Sequence, residues 1–427
     1  MVVFVTAAAG FLGRSIAGAL ADAGHALVLG VHRRSPPGLR GRVERVDFER
    51  DHDAAVWLPR LADVDVVVNT AGILREAPGA TFDGLHSRGP RALFAACAEA
   101  GVGQVIQLSA LGADDAAQSR YHLSKREADR FLATLAIPSV VVQPSLVYGP
   151  GGTSAHLFET LATLPLLALP AGGSQQVQPV HLDDLMSAIV ALVGRDTAPG
   201  TTLAVVGPQP LSLAEYLQQL RTSMGRRRAR VLAVPVGFAA VAASVASLVP
   251  GALLDRDTLA MLARGNTADP APLRDLVQRE LRPAASFVEP RYAQATHARA
   301  VLAWQLPLLR ATIAFVWIWT GVVSLGLYPV EESYSLLARL GVQGTLATAL
   351  LYGAAVIDLA LGIGTLVVHD RRWIWRAQIA VMLGYTLLIS AWLPEFWLHP
   401  YGPLSKNLPL LAATWLVATL ESRRERH

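Results

Sequence analysis

Long apolar stretches distinguish the last third of the chain. Charged residues are spread through the sequence to about residue 303 and then become rare. The stretches with at most one charge are residues 311–328, 344–368, 377–393 and 403–420. A helix needs roughly 20 apolar residues to cross the hydrocarbon core of a bilayer, and each stretch is near that length. The pattern therefore predicts four membrane-spanning helices, the fourth shortened by Lys406 and Pro409 near its start.

A fifth stretch, residues 231–254, is also uncharged and long enough to span. A span here would place the first 230 residues on the other side of the membrane from the segment that follows. Because Pro235 and Pro250 interrupt the stretch and alanines are frequent in it, we interpret it as a buried or membrane-surface helix.

The charged residues of the loops predict the orientation of the spans. Arginines follow the second span and the fourth, whereas glutamates occupy the other two loops. The residues concerned are Arg371, Arg372, Arg376, Arg423, Arg424 and Arg426, against Glu331, Glu332 and Glu395. Basic loops stay on the cytoplasmic side. We therefore expect a multi-pass protein of the inner membrane, with its N-terminal domain and its C-terminus in the cytoplasm.

Composition agrees with a membrane protein and excludes two other classes. Apolar residues make up 52% of the 427 residues and charged residues 16%, and the mean hydropathy is +0.37, which excludes a disordered chain. The net charge of +4 comes from thinly spread bases, so we expect no nucleic-acid partner. The single Cys97 cannot form an internal disulfide, which fits a reducing compartment.

The first residues have the pattern of a dinucleotide-binding loop. An apolar strand, residues 2–5, leads through a turn with Gly10 and Gly13 into a helical pattern. The free amides at such a helix N-terminus can bind a pyrophosphate. Ala7 replaces the first glycine of a GxxGxxG loop, which costs the turn some conformational freedom.

A tyrosine and a lysine downstream have the spacing of an acid/base pair. Tyr121 and Lys125 share one face of a predicted helix, where an ammonium can lower the pKa of the phenol. The chain has only one other lysine among 37 basic residues, so a compact ammonium is needed here. Ser109, at the end of a predicted strand, can hydrogen-bond a substrate oxygen. The alternative is that Tyr121 and Lys125 lie on an ordinary surface helix and have no catalytic role.

Together these motifs resemble the short-chain dehydrogenase/reductase superfamily in its extended or atypical branch, and look most like relatives of the nucleotide-binding accessory subunit of respiratory complex I. The matching segments are residues 6–13, 69–72, 109, 121–125 and 143–149, with residues 69–76 and 178–184 for the complex I relatives. The resemblance covers about residues 1–300. It implies an α/β Rossmann fold, a doubly wound parallel sheet with a small substrate lobe. It also implies that Tyr121 acts as the catalytic acid or base, that Lys125 contacts the ribose of the nucleotide, and that Ser109 orients a carbonyl or hydroxyl group of the substrate.

The nucleotide-binding residues that the resemblance implies surround the predicted loop. They are Thr6, Gly10, Phe11, Leu12, Gly13, Arg33, Arg34, Asp47, Phe48, Asn69, Ala71, Gly72, Tyr121, Lys125, Pro144 and Ser145. Arg33 and Arg34 stand where an NAD enzyme usually places an acid, which favours the 2′-phosphate of NADP(H) over NAD(H). Two solvated arginines at a loop start remain the alternative.

No metal site is expected. His181, Asp183 and Asp184 have no second ligand cluster at a suitable spacing. We interpret the two aspartates as the cap and acidic first turn of a helix, and the histidine as the end of a strand.

The C-terminal part resembles the DoxX-like family of four-helix membrane proteins. The similar segments are residues 309–324, 357–362 and 399–409. Asp358 lies in the middle of the second span, where an acid is a functional candidate or a structural carboxyl bonded to a neighbouring helix. We therefore predict an NAD(P)-binding domain at residues 1–230 with substrate-lobe elements from about 150, a connector at 231–303, and a membrane domain at 304–427.

Three functions remain open. The first is a membrane-anchored NAD(P)H-dependent oxidoreductase acting on a lipophilic substrate from the bilayer, such as a quinone, an isoprenoid or a polyketide-like carbonyl. The second is an NADPH-binding scaffold or redox sensor in a membrane complex. The third is an NAD-dependent epimerase or dehydratase. Membrane lipid is an expected partner, and no protein partner can be named.

Overall fold

The computed structural model describes residues 1–33, 38–238 and 256–424. The chain divides into two compact units, Met1–Ala300 and Val301–His427. Each unit is described by itself.

The strands belong to the first unit. They are β1 (Val2–Val5), β2 (Ala26–Val31), β3 (Arg42–Arg45), β4 (Val66–Asn69), β5 (Gln104–Leu108), β6 (Ser139–Pro144), β7 (Val147–Tyr148), β8 (Leu166–Pro170), β9 (Gln176–Val177), β10 (Val180–His181), β11 (Thr201–Val205), β12 (Leu211–Ser212) and β13 (Arg230–Val234). Its helices are α1 (Phe11–Asp22), α2 (Ala54–Trp57), α3 (Gly89–Glu99), α4 (Arg120–Ala133), α5 (Thr153–Thr163), α6 (Leu182–Leu192), α7 (Leu213–Ser223), α8 (Arg256–Arg264) and α9 (Ala271–Val277).

Seven of the described strands form one parallel sheet in the order β11-β6-β5-β4-β1-β2-β3. Helices cover both faces, so strand residues are apolar on both sides: Val3 and Val5 pack on one core, and Phe4 packs on the other. The strand order reverses between β1 and β4, and the loops at the carboxyl ends of these strands form the crevice where α/β sheets bind ligands. The predicted doubly wound Rossmann fold is confirmed.

A smaller lobe follows the main sheet. Strands β8 and β13 form a parallel pair, and β9 and β12 an antiparallel one. Its core is built around Tyr216, Leu217 and Phe287. Residues 231–234 therefore belong to a strand, which corrects the predicted helix at that point. The rest of that prediction, from residue 239 on, lies outside the described residues.

The second unit is helical, as expected. Its helices are α10 (Ala293–Val322), which begins in the first unit, α11 (Val330–Arg339), α12 (Gly344–Val367), α13 (Arg372–Trp392) and α14 (Asn407–Arg424). Helices α10 and α12 approach closely, because a Cβ atom on Gly362 would lie 2.8 Å from the Ile318 backbone nitrogen. Small residues allow such contacts between membrane helices.

Three of the described helices are long and apolar enough to cross a membrane. They are Pro290–Leu327, Gly344–Val367 and Arg372–Trp392. The fourth predicted span forms α14, but its 18 residues include Glu421 and two arginines, and it does not reach the same hydropathy. The predicted four spans are thus corrected to three candidate spans and one further helix among the described residues.

Candidate functional site

The loop after β1 makes a tight turn at the carboxyl edge of the sheet. Ala7 has φ +47°, in the left-handed region that glycine favours. The turn is closed by a hydrogen bond from the Gly10 amide to the Ala7 carbonyl oxygen, 2.8 Å long, and by one from the Ala8 amide to Gly30, 2.9 Å long. An alanine in this conformation costs about 1 kcal/mol. The turn predicted for the glycine motif forms despite the substitution.

Helix α1 begins against this loop and leaves its N-terminus open. Gly10 caps the helix without any side-chain hydrogen bond, so the first amides of α1 have no side-chain partner. A Cβ atom on Gly13 would lie 2.3 Å from the Ala7 carbonyl oxygen and 2.8 Å from Thr70 Oγ1. Only glycine permits this close approach. The loop and the uncapped helix therefore fit the pyrophosphate of a dinucleotide.

Thr6 and Asn69 connect the ends of three neighbouring strands. Thr6 Oγ1 donates to Asn69 Oδ1 at 2.6 Å, and Asn69 Nδ2 donates to Gln107 Oε1 at 2.7 Å. Thr6 Oγ1 also accepts from the Thr70 amide at 3.0 Å. Both predicted side chains are fully buried. They fix the edge of the sheet by hydrogen bonds within the protein.

Lys125 reaches from α4 to the same edge. Its Nζ donates to the carbonyl oxygens of Ala71 and Leu108, both at 3.0 Å. A Cβ atom on Gly72 would lie 2.9 Å from this Nζ, so the glycine leaves room for the ammonium. Burial lowers the pKa of Lys125 to about 8, although the charge of Asp129 opposes the shift.

Tyr121 is half-buried one turn before Lys125 on α4. Its ring contacts His122, His86 and Phe82, with centroids 5.3, 5.5 and 6.1 Å away. Burial, together with the charge of Asp129, raises the pKa of the phenol to about 12. The predicted lowering of this pKa is therefore wrong, because burial disfavours the charged phenolate and the charge of Asp129 disfavours it further. Tyr121 holds its proton at neutral pH.

A buried histidine that the sequence did not predict fixes the start of α4. The Ile73 amide donates to His86 Nε2 at 3.0 Å, and His86 Nδ1 lies 2.9 Å from Ser124 Oγ. Ser124 Oγ in turn donates to the Tyr121 carbonyl oxygen at 2.8 Å. Burial, helped by the charge of Lys125, lowers the pKa of His86 to about 2, so the ring is neutral.

Asp129 is a second residue that sequence reasoning missed. Ser109 Oγ donates a short hydrogen bond to Asp129 Oδ2, and Gln107 Nε2 lies 3.4 Å from Asp129 Oδ1. Burial raises the pKa of Asp129 to about 6, against the opposing effects of Ser109, Lys125 and Gln107. Its spacing was a usable signal, because Tyr121, Lys125 and Asp129 recur every four residues and share one helical face.

The residues predicted to bind the adenosine end lie after β2 and β3. Arg33 is exposed, and its carbonyl oxygen accepts a short hydrogen bond from Arg45. Arg34 lies outside the described residues. Asp47 accepts from the Glu49 amide at 3.1 Å, whereas the ring of Phe48 packs on Trp57 in the core, with centroids 5.2 Å apart.

The remaining predicted residues brace the crevice. Ser145 Oγ donates to the Gln178 carbonyl oxygen at 2.6 Å, and the Pro144 carbonyl accepts from the Leu111 amide at 3.0 Å. Leu12, in the first turn of α1, packs against the core. A Cβ atom on Gly152 would lie 3.0 Å from Phe11 Cζ, so the loop after β7 meets α1 closely.

Within the described ranges, no three His, Cys, Asp or Glu side chains converge as a metal site would require. His181 itself caps α6, because its Nδ1 accepts from the Asp183 amide at 3.2 Å. The sequence interpretation had assigned the cap to the aspartates. Asp184 is instead fully buried and pairs with Arg279 at 2.7 Å.

In the second unit, Asp358 is buried on α12. Its Oδ1 has no hydrogen-bond partner among the described residues. The side chain is thus not held by the neighbouring helices through this atom.

Two family models match separate parts of the chain. Residues 3–206 match the NAD dependent epimerase/dehydratase family, and residues 314–415 match the DoxX-like family. The chain therefore combines an N-terminal domain similar to the NAD dependent epimerase/dehydratase family with a C-terminal domain similar to the DoxX-like family. Both predicted resemblances are confirmed.

Two curated proteins are similar to about half of the chain. A ceramide reductase of Caulobacter vibrioides is 33% identical over 192 residues, 44% of this chain and 60% of that protein. The mitochondrial NADH-ubiquinone oxidoreductase 40 kDa subunit of Neurospora crassa is 22% identical over 233 residues, 53% of this chain and 61% of that protein. The matched region thus spans about three fifths of these curated relatives.

Solved structures share the fold. UDP-glucuronic acid 4-epimerase from Bacillus cereus, in complex with UDP-glucuronic acid and NAD, has a TM-score of 0.51 at 18% identity, covering 69% of this chain and 99% of that one. At such identity the likeness extends to the fold alone.

Proposed function

We propose that this protein is a membrane-anchored NADP(H)-dependent oxidoreductase that reduces a carbonyl group of a lipophilic substrate. The observation that carries the proposal is that Lys125, one turn after Tyr121 on α4, donates to the Leu108 carbonyl oxygen next to Ser109, at the sheet edge where the uncapped helix α1 begins. Tyr121 keeps its proton at neutral pH, as a general acid in reduction requires.

Each side chain has a part in this reaction. The nicotinamide, when bound, supplies a hydride to the carbonyl carbon. Tyr121 donates its phenolic proton to the carbonyl oxygen, and water later restores that proton. Lys125 is the nearby positive charge that stabilises the phenolate left behind. Ser109 positions the substrate oxygen when its own proton is free to donate.

The NADP(H) preference rests on Arg33. The side chain is exposed after β2, where the 2′-phosphate of a bound nucleotide is recognised in Rossmann domains. Arg45 holds the backbone of this loop through the carbonyl oxygens of His32 and Arg33.

The lipophilic substrate is supported by two independent observations. Three helices long enough to span a bilayer belong to the same chain. The relative from Caulobacter vibrioides is named a ceramide reductase, and ceramide is a long-chain lipid. A tethered domain meets such a substrate at the membrane surface, so membrane lipid is the expected partner. The loop arginines support a cytoplasmic N-terminal domain at the inner membrane.

A nucleotide-binding scaffold is the second candidate. The left-handed Ala7 in the phosphate loop favours it, since an alanine here strains the turn that holds the nucleotide. The relative from Neurospora crassa is a subunit of a respiratory NADH-ubiquinone oxidoreductase. An epimerase or dehydratase is compatible with the fold, but no side chain of the site favours it.

A fluorescence titration of the detergent-purified protein with NADPH and NADH tests the nucleotide assignment. We expect NADPH to bind about tenfold or more tightly than NADH, and Arg33→Ala to remove the difference. Arg195→Ala is the matched control, because Arg195 is exposed at the opposite edge of the sheet, where its carbonyl accepts from Gln104. Equal affinities in the unmutated protein would refute the NADP(H) preference.

Tyr121→Phe separates the enzyme from the scaffold. With NADPH and phenanthrenequinone, a lipophilic dicarbonyl, we expect turnover to fall at least about a hundredfold while NADPH affinity is retained. Turnover that survives the substitution would exclude Tyr121 as the acid. If the unmutated protein binds NADPH but reduces no lipophilic carbonyl, the scaffold is favoured.

A further inference from the structure

The hydroxyl proton of Ser109 is already engaged within the protein. Ser109 Oγ donates to Asp129 Oδ2, and the serine is 5% exposed. A hydroxyl has one proton to donate, so Ser109 then offers the crevice only its lone pairs. A substrate carbonyl has no proton to give, and it requires a donor. In this state Ser109 cannot hydrogen-bond a carbonyl oxygen.

Asp129 lies where it can change this state. It is 8% exposed, and its other oxygen faces Gln107. Among the described residues, the charged or titratable groups that interact with it are Lys125 and Tyr121, both on its own helix. From the sheet, the uncharged Gln107 on β5 and Ser109, directly after β5, hydrogen-bond to it. A single proton on Asp129 therefore reverses the hydrogen bond to Ser109.

We propose that Asp129 is a positioning residue that decides whether Ser109 donates a hydrogen bond to the substrate or accepts one from it. When Asp129 is ionised, Ser109 donates to it and can only accept from the substrate, which suits a substrate hydroxyl. When Asp129 is protonated, its own hydroxyl donates to Ser109 Oγ. The Ser109 hydroxyl, which keeps its proton, can then donate a hydrogen bond to a substrate carbonyl. The inference rests on the proposed oxidoreductase function, and it makes the protonation state of one carboxyl control how Ser109 binds the substrate oxygen.

The burial of Asp129 sets where this change occurs. Its pKa is raised to about 6, so the protonated form is present below that pH and is lost as the pH rises through it. Carbonyl reduction should therefore fall as the pH rises through about 6. We expect a loss of about a hundredfold, the lower end of the range for a hydrogen-bond donor to the reacting oxygen.

Infrared titration of the full-length protein in detergent tests the coupling without any substrate. The spectrum of Asp129→Asn, subtracted from that of the unmutated protein, isolates the protonated carboxyl band of Asp129. In Ser109→Ala the midpoint of this band should move upward by about one pH unit, because the hydroxyl stabilises the carboxylate. Ser124→Ala is the control, since that hydroxyl donates to the Tyr121 carbonyl instead. An unmoved midpoint in Ser109→Ala would overturn the proposal.

Turnover of phenanthrenequinone with NADPH tests the consequence. The unmutated protein should lose activity as the pH rises through about 6, whereas Asp129→Asn should remove this loss, because its amide donates permanently to Ser109. A purely structural Asp129 would change nucleotide affinity or folding and leave the pH profile intact. That result would overturn the proposal. If no variant turns over any carbonyl, the oxidoreductase function fails, while the infrared midpoint still decides the coupling.

Discussion

At the residue scale, Ala7 shows how a departure from a motif is tolerated. The turn keeps its two backbone hydrogen bonds, and Gly10 and Gly13 still provide the close approach of α1. The alanine differs from glycine by a methyl group, and its backbone has φ +47°. The loop is thus built for a dinucleotide but carries a local strain that glycine would relieve.

Ala7→Gly should therefore stabilise the protein. Glycine relieves about 1 kcal/mol of left-handed strain in the folded state. It also gives the unfolded chain more conformational entropy, which offsets about half of this gain, so the free energy of unfolding should rise by about 0.5 kcal/mol. Thermal unfolding in detergent, with and without NADPH, measures it. Ala8→Gly is the matched control, since Ala8 is fully buried and has no positive φ. Stabilisation by the control and not by Ala7→Gly would contradict the prediction.

At the element scale, helix α4 carries most of the chemistry. It presents Tyr121, Lys125 and Asp129 along one face, and a π-helical turn, Asp83–Arg88, packs beside it. His86 on that turn bridges to the helix through Ser124, which fixes the rotation of α4 about its axis. A buried neutral histidine makes this connection sensitive to acid.

His86→Gln should reduce the acid sensitivity of the fold. The pKa of His86 is about 2 in the folded state, far below the 6.5 of an exposed imidazole, so the unfolded chain binds the extra proton between these values. Stability is therefore lost as the pH falls below about 6.5. Chemical denaturation at several pH values should show a shallower loss in His86→Gln, whereas His25→Gln should follow the unmutated protein. If stability falls with pH to the same extent in all three proteins, the prediction for His86 is wrong.

The sequence predicted the elements of the site better than their hydrogen bonds. The strand, glycine turn and helix at residues 2–22 were predicted from local pattern, and so was the Tyr121/Lys125 face, because both depend on neighbours in sequence. The bonds of Asp129 and His86 join residues 20 and 38 positions apart, which no periodicity encodes. The pKa of Tyr121 was predicted in the wrong direction, because burial is a property of the folded chain.

At the scale of the whole molecule, the first unit includes the beginning of the helix that contains the first candidate span. Arg299 lies on α10 within Met1–Ala300, and its Nη2 donates to Glu159 Oε2 at 2.7 Å. The Glu159 side chain is 3% exposed and also accepts from the Tyr148 hydroxyl at 2.8 Å. A nearly buried carboxylate thus holds the start of this helix to the substrate lobe.

Arg299→Ala should destabilise the first unit by about 2 kcal/mol. Removal of one partner leaves the other charge buried, and the half-exposed arginine makes the cost smaller than for a fully buried pair. The double variant with Glu159→Gln should recover part of the loss, because no uncompensated charge then remains. Thermal unfolding followed by near-ultraviolet circular dichroism gives the comparison. If the loss of stability in the double variant equals the sum of the losses in the two single variants, the two side chains are not coupled.

The scarcity of lysine gives this protein a built-in chemical reporter. Lys125 and Lys406 are the only two lysines of the chain, and Lys125 is 4% exposed with a pKa lowered to about 8. Amine-directed reagents therefore have two side-chain targets. Mass spectrometry of the labelled peptides can report occupancy of the nucleotide crevice at Lys125, with Lys406 as an internal standard in the same molecule.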